Sequence, residues 1–106
     1  MKPKKTWRNA KTRLLAEAWL KLKTVEEVEK FLRDLLTIQE IETFSQRFAA
    51  AKMLDEKETY TMIEAKTSMS SATIARIKNW LDYGEGGYRL VIDRMNKEKK
   101  GGTSEE

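Results

Sequence analysis

Between residues 4 and 83 the chain holds neither proline nor glycine: its only proline is Pro3, and all five glycines lie at position 84 or beyond. Proline removes a backbone donor and glycine carries the largest backbone entropy cost, so these are the residues that most often interrupt a helix. A long stretch without either must be partitioned by caps instead. No segment shows sustained alternation of apolar and polar residues, whereas a period of about 3.6 residues recurs throughout. The chain therefore reads as all-α.

The caps set the partition. A first helix carries Leu14, Leu15, Ala18, Trp19 and Leu22 on one stripe. Thr24-Val25-Glu26-Glu27 has the form of a capping box, in which the threonine accepts from a free backbone N–H and the glutamate reaches back to the cap. It opens a second helix with Val25, Val28, Phe31, Leu32 and Leu35 in phase. Thr37-Ile38-Gln39-Glu40 repeats the device before a third, with Ile41, Phe44, Phe48 and Ala51 inward and an end near Asp55-Glu56-Lys57. A short segment from Tyr60 to Lys66 buries Ile63, Thr67-Ser68-Met69 turns the chain, and Ser70-Ser71 begin a helix that buries Ile74, Ile77 and Leu81 and stops at Tyr83-Gly84. Gly84, Gly86 and Gly87 are read as the loop to a sixth helix bearing Tyr88, Val91, Ile92 and Met95. Residues 1–96 form one expected domain, and 97–106 a charged tail expected to be disordered.

At 106 residues a single domain is small for a large core of its own, and sharing a core between two chains is one solution. Cysteine and histidine are absent, which excludes a disulfide framework, a Cys/His zinc site, a Ser-His-Asp triad and a Cys-His pair. An enzyme is therefore not expected, nor any cofactor or metal. No apolar run approaches the roughly 20 residues of a membrane span, and the basic start has no apolar stretch behind it. The expected compartment is the cytoplasm. A net charge of +4 is compatible with nucleic acid without requiring it.

The segment from about 60 to 82 is a short helix, a tight turn and a second helix rich in small polar residues, the pattern of a helix-turn-helix. Ile63, Met69, Ile74 and Ile77 are its apolar anchors. A helix lying in a groove about 12 Å wide needs small side chains on its outer face. With Ile74, Ile77 and Leu81 inward, rotation of about 100° per residue turns Ala72, Ala75, Arg76 and Asn79 outward. Ser70, Ser71 and Ala72 stand at a positive helix end that suits phosphate, and Lys66 and Lys78 flank the surface as phosphate partners. The plainer alternative is two bundle helices with a serine cap, since the turn has Ser68 where a glycine is usual.

Leu35-Leu36-Thr37, Gln46-Arg47 and Ser71-Ala72-Thr73-Ile74-Ala75-Arg76 resemble the Trp repressor. The chain is still more similar to the YerC/YecD-type relatives of that repressor, around Arg47-Phe48, Thr59-Tyr60, Ser71-Ala72-Thr73-Ile74, Arg76 and Leu81-Asp82-Tyr83-Gly84, ungapped from about Thr24 to Met95. The resemblance implies a six-helix Trp-repressor-like fold forming an intertwined dimer. Helices one to three and six would make the shared core, and the fourth and fifth the DNA-reading heads. It also implies a backbone contact from Thr61. In the repressor an indole lies between two arginines, which Arg47 and Arg76 match, and Thr73 matches a threonine of the same pocket. Ile77 replaces a glycine there and Trp80 a serine; both are bulky, so the pocket is expected to be plugged and tryptophan not to bind.

Other residues carry competing readings. Arg47 and Arg76 are expected either to contact phosphate or to pair with an internal carboxylate. Trp7 and Trp19 at helical spacing read as core more readily than as a recognition surface. Lys2, Lys4, Lys5, Arg8, Lys11 and Arg13 form either a solvated basic tail or an arm that tracks DNA. Glu26, Glu27 and Glu29 belong to a helix's first turn, where negative charge is stabilising. The expected function is a sequence-specific transcriptional regulator, a repressor in type, that binds double-stranded DNA as a homodimer; whether it takes a small-molecule effector stays open. The alternative from another class is a helical dimer that binds protein and not DNA.

Overall fold

A computed structural model of the chain describes residues 7–105, with side chains for residues 7–99. Among the described residues there are six helices and no strand: α1 (Ala10–Trp19), α2 (Val25–Leu35), α3 (Ile38–Asp55), α4 (Tyr60–Thr67), α5 (Ser71–Tyr83) and α6 (Gly87–Glu105). The all-α reading and the helix order stand as expected. The chain divides into two compact units, with the boundary between Ile41 and Glu42.

The first unit is held by caps more than by burial. Asn9 Oδ1 accepts from the N–H groups of Lys11 and Thr12 at 2.9 and 3.0 Å, and Thr12 Oγ1 accepts from the Asn9 N–H at 2.9 Å. Thr24 Oγ1 accepts from the Glu27 N–H at 3.1 Å, but Glu27 Oε1 takes the N–H of Lys23 at 2.8 Å, one residue before the cap. The expected box at Thr24 is therefore half formed. The box at Thr37 is complete, with Glu40 N–H to Thr37 Oγ1 at 3.0 Å and Thr37 N–H to Glu40 Oε1 at 2.9 Å. Trp19 meets Phe31 edge to face at 5.6 Å between ring centroids. α1 ends at Trp19, so Leu22 lies beyond the stripe it was expected to join. No described residue before Ala50 is buried in the single chain. Leu14, Leu20, Val25 and Ile38 are two-thirds exposed or more.

The second unit owns the core. Ala50, Ala51 and Leu54 of α3, Ile63 of α4, Ile74, Ile77 and Leu81 of α5 and Ile92 of α6 form one buried cluster, with Phe48, Met53, Met69 and Tyr88 packed against it. Full burial of an isoleucine is worth about 1.5–3 kcal/mol. Ile63, Ile74, Ile77 and Ile92, all completely buried, therefore supply most of what fixes α4 and α5 against their neighbours. Asp55 closes the far end: Arg89 donates to its carboxylate at 2.6 Å and Asn96 at 3.3 Å, joining α3 to α6.

Gly84 caps α5 because a Cβ there would come within 2.5 Å of the Trp80 carbonyl oxygen. Gly87 is the first residue of α6 and not part of the loop. The α6 backbone stays helical beyond Lys97, where the composition points to a tail; side chains past Lys99 and all of residues 1–6, including Lys2, Lys4 and Lys5, lie outside the described residues. No described helix is long and apolar enough to cross a membrane.

Candidate nucleic-acid interface

The turn between α4 and α5 is built without glycine. Ser68 takes the left-handed conformation (φ 64°, ψ 17°) and donates its N–H to the Glu64 carbonyl at 2.9 Å, ending α4. A non-glycine residue there costs about 1–2 kcal/mol of steric strain. Thr67 offsets part of that cost: its buried hydroxyl donates to the Ile63 carbonyl at 2.7 Å and accepts from the Met69 N–H at 3.2 Å. Ser70 then caps α5, its Oγ accepting from the Thr73 N–H at 3.2 Å and donating to Thr73 Oγ1 at 3.1 Å. The turn is thus tied down by side-chain hydroxyls.

Three buried isoleucines decide which face of this pair looks outward. With Ile63, Ile74 and Ile77 held in the core, Thr61, Lys66, Ser70, Ser71, Ala72, Ala75, Arg76 and Asn79 are all exposed. The expected surface is therefore assembled on one helix pair. Two of its members are already engaged. Lys66 Nζ lies 3.1 Å from Glu58 Oε1, and Lys78 Nζ donates to Asp82 on the next turn of α5. That bond holds the Lys78 ammonium above the ordinary lysine range. Of the cations on this surface, Arg76 makes no hydrogen bond or ion pair with a described residue.

Arg47 has no carboxylate partner either; its guanidinium lies over the rings of Phe44, at 5.4 Å, and Trp80, at 5.9 Å. The three α5 residues matched to the repressor's pocket, Thr73, Ile77 and Trp80, lie in different surroundings. Ile77 is wholly buried in the core, Thr73 is half-buried with its hydroxyl in the cap, and Trp80 is 41% exposed. Trp80 lines an open cavity of about 740 Å³ with Phe48, Tyr83, Glu85, Tyr88 and Val91. Trp7, expected in the core, is half exposed beneath the Arg8 guanidinium.

Sequence reasoning missed Glu58 and Asp82. The Lys78–Asp82 spacing of one helical turn was a usable signal. Glu58 pairs with a lysine across the whole length of α4, and no periodicity announces that.

The comparisons agree with this geometry. A family model described as Trp repressor protein matches residues 10–96. The uncharacterized protein YerC of Bacillus subtilis (strain 168) is 45% identical over 78 residues, 74% of this chain and 75% of that protein. The crystal structure of a TrpR-like protein from Eubacterium eligens ATCC 27750 superposes with a TM-score of 0.82 at 41% identity, covering 88% of this chain and 96% of that one. A second solved structure, from Staphylococcus aureus, gives a TM-score of 0.80 at 41% identity over 86% of this chain and 91% of that one. The family is one of regulators and not of enzymes. Six helices in this order, a helix-turn-helix at α4–α5 and matches over most of the chain lead to one conclusion: the chain belongs to the Trp repressor family, as a YerC-type member.

Proposed function

We propose that this chain is a transcriptional regulator, a repressor in type, that binds double-stranded DNA as a homodimer through α4 and α5. One observation carries the reading: the outward face of α5 begins with small side chains, Ser71, Ala72 and Ala75, followed by Arg76 and Asn79. Such a face fits a major groove, where asparagine is suited to adenine and arginine to guanine. The N-terminus of α5 and Thr61 add positions for phosphate. Short side chains with few donors leave much of the discrimination to water and DNA shape.

Support for the homodimer comes from the first unit, which leaves Leu14, Val25, Leu35 and Ile38 uncovered in a single chain. Apolar side chains exposed in such number mark a surface that another chain covers. Two copies would then offer two α5 helices to successive grooves about 34 Å apart.

Binding to random duplex DNA over a salt series tests the reading. At about 50 mM salt a complex is expected, with affinity falling steeply as salt rises. Arg76→Ala combined with Lys78→Ala should weaken it at least fivefold. A protein that binds no duplex, or a double variant that binds as wild type does, contradicts the function.

A further inference from the structure

From Glu58 to Tyr83 the chain carries Lys66, Arg76 and Lys78 against Glu58, Glu64 and Asp82, so the reading head has no net charge although the chain is +4. Two of the three cations are bonded to two of the three carboxylates. Lys66 reaches back along α4 to Glu58, 3.1 Å away, and Lys78 reaches along α5 to Asp82. All four side chains remain between a quarter and a half exposed. Both ammonium groups therefore stand at the surface, but each brings a carboxylate with it.

Phosphate attraction does not depend on base sequence; it sets how tightly a protein holds any duplex, and its strength follows the counterions released. A lysine beside a fixed carboxylate contributes less to that release, because the phosphate meets a pair of nearly zero charge. Base-edge contacts by Ala72, Ala75, Arg76 and Asn79 involve neither pair and are unaffected. Building on the proposed DNA-reading function, we infer that Glu58 and Asp82 hold down the protein's affinity for any duplex. They lower affinity for every duplex alike and leave discrimination between sequences to the base contacts of the outward face of α5. The order of the pair on α5 fits this role. Lysine preceding an acid by one turn is the weaker arrangement for helix stability, so the acid at 82 is poorly accounted for as a helix stabiliser.

The test measures Glu58→Gln with Asp82→Asn in the full chain, on random duplex and on a duplex carrying a selected binding sequence. Thermal melting first establishes that the variant is folded. The variant should bind random duplex about tenfold more tightly at about 50 mM salt, with a log–log salt slope steeper by about 1–2 per protomer. Its affinity for the selected sequence should rise by a similar factor, leaving its preference for that sequence unchanged. Adding Lys66→Ala and Lys78→Ala to the variant should abolish the gain, which separates a charge effect from a change of shape. Wild type that binds DNA, beside a variant within twofold of it in affinity and slope, overturns the inference alone. Wild type that binds no DNA overturns the function on which it rests.

Discussion

Asp55 shows how a single residue ties sequence-distant helices together and what pH does to such a tie. Its carboxylate accepts from Arg89 and Asn96 of α6, and the Arg89 bond, chiefly, holds its pKa below the ordinary 3.8. As pH falls the unfolded chain takes up the proton first, near 3.8, so the pair's contribution is complete above roughly pH 5. It declines below 3.8 and is gone once pH has passed the lower value of the folded state. Arg89 is partly exposed, which keeps the contribution to about 1 kcal/mol. Asp55→Asn should therefore melt below wild type at neutral pH, and the gap should close as pH drops toward 2 or so. A gap that does not change with pH would contradict this account. At this scale the sequence was legible only where spacing is regular. Lys78 and Asp82 are one turn apart; Asp55 and Arg89 are separated by thirty-four positions, and nothing local links them. Ser68 is legible only in part, because a serine in a left-handed turn depends on the Thr67 hydroxyl behind it.

Helix boundaries followed the caps closely, since capping is decided within four residues. The box at Thr37 formed as written, while the one at Thr24 formed by half because Glu27 turned to Lys23. The box at Asn9 escaped the search for threonine followed by glutamate, its partner being Thr12. Between elements, local rules fail. α3 and α5 meet where Arg47 lies over the Trp80 indole, a contact that depends on how the Ile74 and Ile77 side chains seat α5 in the core. An indole supplied by the chain itself thus occupies the arginine's face, and a free tryptophan would have to displace it. Calorimetry with L-tryptophan should accordingly detect no binding at micromolar concentrations. Micromolar affinity would show that Trp80 swings away and that the arginine is available.

The whole molecule divides into two units, Met1–Ile41 and Glu42–Glu106. The second unit contains every buried residue described and presents the α4–α5 pair, whose charges cancel from Glu58 to Tyr83; the first buries nothing within a single chain. Hydrophobic patterning made the helices of both units legible, because periodicity reports which face is apolar. It does not report whether that face is covered by the same chain, so the exposure of Leu14 and Val25 was not legible in the sequence. The basic excess lies largely outside α4 and α5, in a segment holding Arg8, Lys11 and Arg13. Selection of bound sequences from a random DNA library by the full chain tests the central claim most directly. A homodimer that reads DNA through α4 and α5 should enrich two symmetry-related half-sites whose centres lie about one helical turn, 34 Å, apart. Enrichment of no sequence, or of an isolated half-site without a symmetric mate, would contradict it.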